Sequence, residues 1–448
     1  MEAKKFYAVA GNPILHSKCP LLFNHLFQEN NLNCYYTRIS PENSKELLSL
    51  FKNIGLKAIN ITSPFKQSII PELQEIDYNA KIINSVNTIL YDNLALKGYN
   101  TDYIGIQNII KNNIGSLKNK KCYVIGAGGA SRSAIFGLIN EKADVTVFNR
   151  TYQKANELAK EFNCRAAPLE ELKSTINNAD LVISTVNMND WGFLSELNNN
   201  DVIFIDAIYH NSELKKYTDI YNLKLKYIPG EEWLSGQGLA SFELFTGLKG
   251  NYENAKKNVY SNKLFNSTDN LILIGFSGSG KTETGKLLAN KLKFDFIDTD
   301  SIIELEENQS INEIFHTKGE DYFRNKENEL LLKINNNKKC VISCGGGIIK
   351  NPKNRELLKK IGIIVWLYCP IDVCLSRIDI SLKPLLSKDN YEITANNLMK
   401  ERIPDYCYFS DLIISSDYPI ERVVEKIYRE FQFIQYNGSV CRNQAIYL

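Results

Sequence analysis

Two glycine clusters carry the clearest chemistry in this chain. Gly275-Phe276-Ser277-Gly278-Ser279-Gly280-Lys281-Thr282 stands between an apolar run and a helical pattern. Glycines at that spacing let backbone amides wrap a phosphate chain. The lysine then reaches the β- and γ-oxygens, and the threonine hydroxyl can ligate Mg2+. Gly278, Ser279, Gly280, Lys281 and Thr282 are therefore candidate triphosphate contacts, although the pattern alone suits an ATPase, a GTPase or a small kinase equally well. The second cluster, Gly126-Ala127-Gly128-Gly129-Ala130, follows the run Cys122 to Ile125 and opens a helix, as a dinucleotide pyrophosphate site requires. A tight structural turn would read the same way. The next apolar run, Asp144 to Phe148, ends in Asn149-Arg150-Thr151, with Lys154 one turn on. An NAD site puts an acid there, about 20 residues past the glycines, to hold a ribose hydroxyl. A cation in its place suits a 2′-phosphate, and so NADP(H) rather than NAD.

Three strand–glycine–helix junctions must position these residues. They are KKFYAVA running into Gly11-Asn12-Pro13, residues 120–139, and residues 271–292. Strand and helix patterns alternate throughout, which predicts α/β layers with parallel sheets. The expected order is an α/β substrate domain over 1–103, a Rossmann domain over 104–265, a P-loop domain with a parallel sheet over 266–436, and a tail over 437–448. A polar stretch from Asn251 to Asp269 places the main break near residue 265. Each side is long enough to bury its own core, so cutting there is expected to leave two soluble, active fragments.

Composition narrows the setting. The chain has 448 residues, 44% hydrophobic and 23% charged, with a formal charge of +2. That is ordinary for a folded multidomain protein and gives no sign of a nucleic-acid or membrane partner. Its ten cysteines are scattered, without the clustered spacing of a zinc site. The opening MEAKKFYAVAGNP lacks a signal-peptide core, and no run nears the roughly 18 apolar residues of a membrane helix. A reducing, cytoplasmic setting and small-molecule substrates are expected, with the oligomeric state open.

Residues 5–250 resemble the shikimate dehydrogenase family. The motifs that carry the resemblance are Gly11-Asn12-Pro13-Ile14-Leu15-His16-Ser17-Lys18-Cys19-Pro20, Asn60-Ile61-Thr62-Ser63-Pro64-Phe65-Lys66, Ser85-Val86-Asn87-Thr88 and Gly98-Tyr99-Asn100-Thr101-Asp102. Asp206-Ala207-Ile208-Tyr209 and Gly230 through Gln237 follow in order. The resemblance implies that Lys66 and Asp102 are a catalytic pair, and reduction of a ring ketone does need a proton donor at the developing alkoxide. It further implies that Asn87, Thr62 and Gln237 hold ring hydroxyls, that Ser17 and Tyr209 meet the carboxylate end, and that Ala207 and Gly230 line the cofactor. Cys19 stands where the family usually has a second serine, and Phe23 where it has a histidine. A thiol donates hydrogen bonds weakly, which leaves quinate as an alternative substrate.

Residues 270–432 resemble shikimate kinase, through the P-loop, Asp298-Thr299-Asp300, Phe323-Arg324-Asn325-Lys326-Glu327, Gly345-Gly346-Gly347, Lys383-Pro384-Leu385-Leu386 and Arg402-Ile403-Pro404-Asp405-Tyr406. This resemblance implies that Asp298 holds Mg2+ through water and that Asp300 binds the acceptor hydroxyl as its base. Arg324, Arg402 and the Gly346 amide would bind the substrate carboxylate. Lys383 replaces the usual lid arginine, so it keeps the charge but loses the fork. Together the resemblances imply consecutive chemistry: NADPH-dependent reduction to shikimate, then MgATP-dependent phosphorylation. A regulatory pseudoenzyme would keep both folds but lose Lys66, Asp102, Lys281, Asp298 or Asp300, and all five are present.

Overall fold

A computed structural model of the protein describes residues 4–92, 95–198, 201–210, 212–261, 263–379, 385–386 and 390–435. The chain divides into two compact units. The first comprises Met1–Pro20, Asn33–Leu56 and Lys263–Leu448; the second comprises Leu21–Leu32 and Lys57–Asn262.

In the first unit a run of parallel strands follows the order Asp295–Asp298, Cys340–Ser343, Leu271–Ile274, Ile363–Tyr368, Leu412–Ser415, Cys34–Ile39 and Lys5–Ala10. The three middle strands, LILI, IIVWLY and LIIS, are buried along their whole length. Helices cover both faces, so these strands read as unbroken apolar runs rather than alternating ones. Leu271–Ile274 opens into the P-loop and then the helix Lys281–Leu292, while Asp295–Asp298 delivers its last residue to the helix Thr299–Glu307.

One division between the units falls at Asn262/Lys263, near the break expected at residue 265, but the first unit also takes in Met1–Pro20 and Asn33–Leu56 from the front of the chain. Cys34–Ile39, from the front of the chain, pairs with Leu412–Ser415, aligning Ile39 with Ile413. The Ser40 amide donates to the Ile413 carbonyl at 3.0 Å, and the Thr37 hydroxyl to the Ser410 carbonyl at 3.0 Å. The physical reason is a sheet edge. Without Cys34–Ile39, Leu412–Ser415 would present unpaired backbone groups along an apolar strand. The 1–103 segment is thus shared between the units.

The second unit holds a six-stranded parallel sheet in the order Lys226–Ile228, Ile203–Asp206, Leu181–Ser184, Lys121–Ile125, Asp144–Asn149 and Arg165–Pro168. Apolar clusters form on each face, one around Ile135, Leu138 and Val147 and the other around Phe148, Trp191 and Phe204. Ala58–Ile61, Thr88–Asp92 and Ala95–Tyr99 form an antiparallel set in the same unit. The helices Asp102–Ile109 and Gly230–Thr246 cross closely at Gly105 and Gly236. A Cβ on Gly105 would lie 2.6 Å from the Trp233 ring, so glycine is required for this approach. The Tyr252–Ser261 helix packs on Gly230–Thr246 and closes the unit.

Candidate active sites

Lys66 and Asp102 lie together. Lys66 lies in the short helix Phe65–Ser68, just after the strand Ala58–Ile61, and Asp102 opens the helix Asp102–Ile109. Lys66 Nζ is 2.7 Å from Asp102 Oδ2, with the two side chains 14% and 3% exposed. Asp102 Oδ1 accepts from Asn87 Nδ2 at 3.0 Å. The same Nδ2 lies 2.9 Å from Gln237 Oε1, and Asn87 Oδ1 accepts the Thr101 amide at 2.8 Å. Trp233 Nε1 donates to the Asp102 carbonyl at 2.8 Å. A charged lysine held by a buried carboxylate, with amide groups beside it, can place a proton on an oxygen and discriminate hydroxyl positions. Thr62 is half-buried at the end of Ala58–Ile61, its carbonyl accepting from the Phe65 amide at 3.0 Å.

The glycine turn sits beside this pair. Gly126 has φ +115°, and Gly128 caps the helix Gly129–Asn140. A Cβ on Gly129 would lie 2.9 Å from Ser85 Oγ and 3.1 Å from Lys66 Cβ. Ala127 and Ala130 are half-buried and pack on the apolar cluster below. Asn149 ends its strand and its Nδ2 donates to the Thr151 carbonyl at 3.0 Å. Arg150, Thr151 and Lys154 are exposed, and among the described residues neither cation forms a salt bridge. Gly230 lies against Ala207: a Cβ there would sit 2.8 Å from the Ala207 carbonyl oxygen. Tyr209 is half-buried two residues on.

Asp206, quoted within a motif but given no role from sequence, anchors that loop. Its carboxylate accepts from the Ser212 hydroxyl, from the Tyr227 hydroxyl at 3.0 Å and from the Ile208 amide at 2.9 Å. Burial pushes its pKa up to about 6.

Ser17 and Cys19 belong to the first compact unit. Ser17 Oγ accepts the Cys19 amide at 3.3 Å, and the Ser17 carbonyl accepts from Arg38 Nε and Nη2 at 3.0 and 2.7 Å. Cys19 is buried at the start of the helix Cys19–Glu29.

The P-loop lines a cavity of about 470 Å³ together with Asp298, Asp300 and Gly346. Gly278 and Gly280 have φ +83° and +82°. Any Cβ on Gly278 would strike the Cys374 carbonyl, so both backbone shape and space call for glycine there. Lys281 Nζ donates to the carbonyls of Gly275 and Phe276, both at 3.0 Å. Ser279 is fully buried in the loop. Thr282 Oγ1 donates to Asp298 Oδ2 at 2.8 Å, and Asp298 Oδ1 caps the next helix by accepting the Asp300 amide at 3.1 Å. A hydroxyl and a carboxylate at hydrogen-bond distance under a phosphate loop suit a hard divalent cation with retained waters.

The Gly345–Gly347 turn brings the acceptor side together. A Cβ on Gly345 would strike Asp300 Oδ1, and one on Gly347 would strike the Arg324 guanidinium. Arg324 Nη1 donates to Glu327 Oε2 at 2.8 Å, and Nη2 to Glu320 Oε1 at 2.9 Å. Arg402 is 4% exposed, and its Nη1 donates to the Gly346 carbonyl at 3.2 Å. Its Nε and Nη2 are buried with no hydrogen-bond partner among the described residues. A buried guanidinium with two unpaired nitrogens calls for an anion. Sequence reasoning gave Glu327 and Tyr406 no role. Glu327 is fully buried one turn past Arg324, where burial raises its pKa to about 7 despite that arginine. Tyr406, one turn past Arg402, donates to the Gly346 carbonyl at 2.7 Å. The one-turn spacing from each arginine was the available signal. Lys383 lies outside the described residues.

A lysine–carboxylate pair against a Rossmann glycine turn, with a P-loop site after it in sequence, defines a dinucleotide-dependent oxidoreductase joined to a phosphotransferase. Family models match in the same order: the shikimate dehydrogenase substrate binding domain over residues 9–89, shikimate / quinate 5-dehydrogenase over 108–207, and shikimate kinase over 277–432. The shikimate dehydrogenase (NADP(+)) of Aquifex aeolicus is 36% identical over 265 residues, covering 57% of this chain and 96% of that protein. A crystal structure of shikimate dehydrogenase from Aquifex aeolicus superposes with TM-score 0.54 at 33% identity, over 58% of this chain and 100% of the other. Shikimate 5-dehydrogenase from Thermus thermophilus, solved with NADP(H) and shikimate, gives TM-score 0.51 at 28% identity, over 57% and 98%. The chain belongs to the shikimate dehydrogenase family and carries a shikimate kinase domain behind it, which makes it a bifunctional enzyme of the shikimate pathway.

Proposed function

We propose that the front of the chain reduces 3-dehydroshikimate to shikimate with NADPH, and that the back phosphorylates shikimate with MgATP. The observation that carries the reading is the Lys66–Asp102 pair, 2.7 Å apart, with the Lys66 stem beside Gly129. NADPH supplies the hydride, and Lys66 Nζ gives its proton to the oxygen that becomes a hydroxyl. Asp102 keeps Lys66 charged and in place, and Asn87 and Gln237 orient the neighbouring hydroxyls. Exposed Arg150 and Lys154 suit a 2′-phosphate, and Ala207 and Gly230 line the cofactor. Ser17, Thr62 and Tyr209 complete the substrate contacts, with Cys19 beside Ser17.

In the kinase site ATP supplies the phosphoryl group. Gly278, Ser279, Gly280 and Lys281 grip its phosphates, and Thr282 and Asp298 hold Mg2+. Asp300 takes the proton of the attacking hydroxyl, while Arg324, Arg402 and the Gly346 amide hold the substrate carboxylate. The relative's name, shikimate dehydrogenase (NADP(+)), and the matching family model, shikimate kinase, support the NADP cofactor and the substrate. Two separate assays test the reading: 3-dehydroshikimate with NADPH or NADH, and shikimate with MgATP. Oxidation of NADPH in the first and ADP formation in the second are expected. An enzyme that turns over quinate but not shikimate would contradict it.

A further inference from the structure

We infer that Glu430, in the last helix of the kinase domain, positions the loop of residues 11–18 and through it the Ser17 hydroxyl of the dehydrogenase site. The inference rests on the proposal that Ser17 meets the dehydrogenase substrate. The helix Ile420–Gln435 presents Glu430 on its apolar face beside Ile427 and Phe431, at 1% exposure. Its carboxylate accepts two consecutive loop amides: Ile14 at 3.1 and 2.9 Å, one to each oxygen, and Leu15 at 2.8 Å. A carboxylate is costly to bury unless donors meet it, and apolar packing alone would be served by a leucine here. Two successive amides aimed at one anion fix the path of a segment that lies between the strand Lys5–Ala10 and the helix Cys19–Glu29.

The same helix touches the loop again through Phe433, whose ring centroid lies 4.7 Å from that of His16. The far end of the loop is held at the Ser17 carbonyl by Arg38 Nε and Nη2. Arg38 in turn donates from Nη1 to the Asp411 carbonyl at 3.2 Å and lies 5.1 Å from the Phe265 ring. The middle of the loop is thus held by Glu430, and its far end by Arg38, which itself meets Asp411 and Phe265. The Ser17 hydroxyl, which sits two residues past Leu15, takes its position from kinase-domain groups.

The test uses the full chain and shikimate oxidation with NADP+. Glu430→Gln keeps the shape but weakens the grip on both amides. It is expected to raise KM for shikimate about tenfold, the size of one misplaced hydrogen bond. Its kcat is expected to stay within about twofold, as for a lost ground-state contact. ATP-dependent phosphorylation, which does not use the residue, should be unchanged and reports that the chain is folded. Ser17→Ala should raise KM as well, and the double variant should add little beyond either single change. A rise with Ser17→Ala but none with Glu430→Gln overturns the positioning role and leaves the Ser17 reading intact. No rise with Ser17→Ala overturns both. Amide hydrogen exchange on the unmodified chain gives a reading even if Glu430→Gln does not fold. Slow exchange at Ile14 and Leu15 is expected, and exchange as fast as in an open loop contradicts the inference.

Discussion

Replacing Lys66 by alanine is the sharpest perturbation of the dehydrogenase site. The side chain is 14% exposed and pairs at 2.7 Å with Asp102, which is 3% exposed. Two effects follow from that geometry. Loss of the proton donor at the developing alkoxide should lower kcat by about 10²–10³, equivalent to about 2.7–4 kcal/mol of barrier. Loss of the counter-ion also leaves a buried carboxylate, and breaking a buried pair costs about 3–5 kcal/mol of stability. The stability cost should fall at the low end of that range, near 3 kcal/mol, because Asn87 Nδ2 still donates to Asp102 Oδ1 at 3.0 Å. Lys66→Arg separates the two effects. It keeps a cation against Asp102 but is a far weaker acid, so it should recover stability and little of the rate. The assay is NADPH oxidation with 3-dehydroshikimate, run beside ATP-dependent phosphorylation of added shikimate, which should persist in both variants. Turnover of Lys66→Ala within about tenfold of the unmodified enzyme would refute the role given to this pair.

Arg150→Asp should cost about tenfold or more in kcat/KM for NADPH and shift preference toward NADH; equal use of both cofactors by the unmodified chain would argue against a 2′-phosphate site. Gly347→Ala drives a methyl into the Arg324 guanidinium, so it should raise KM for shikimate in the kinase reaction and leave KM for ATP near normal; an unaltered shikimate KM would place Arg324 away from the substrate. Burial pushes the Glu327 carboxyl up to about 7, above the ordinary glutamate range, so the folded state holds an extra proton in between. Stability is therefore lost as pH rises through that window, and Glu327→Gln, which has no proton to lose there, should flatten the fall in stability between about pH 5 and 8; an equal fall in both proteins would exclude this. Residues 266–448 expressed alone should aggregate or unfold more readily than within the whole chain, because Leu412–Ser415 loses its neighbouring strand; co-expression with residues 1–265 should restore it, and a monomeric, fully stable fragment would show that the pairing is dispensable.

Local features of the site were legible in the sequence. LILI before the P-loop and IIVWLY before Cys369 are continuous apolar runs, the mark of parallel strands covered on both faces, and both are buried strands. The glycines at 126 and 278 sit in left-handed backbone where only glycine is at ease, as their motifs require. Pairing between distant segments was not legible. Cys34–Ile39 joins Leu412–Ser415 across most of the chain, and no local pattern records which strand will cover an exposed edge. The unpaired nitrogens of Arg402 depend on what surrounds it, not on its neighbours in sequence. Glu430 left a faint trace, since it falls on the apolar face of its helix with Val423, Ile427 and Phe431. An acid on such a face signals a buried partner, but the partner is a pair of backbone amides more than four hundred residues earlier.

The most direct test of the two-step chemistry is a single incubation of the full chain with 3-dehydroshikimate, NADPH and MgATP, followed for the phosphate ester. Shikimate 3-phosphate should accumulate in step with NADPH consumed, and omitting NADPH should abolish it. NADPH consumption with no phosphate ester formed, or ADP release that does not require NADPH, would contradict consecutive reactions on one chain.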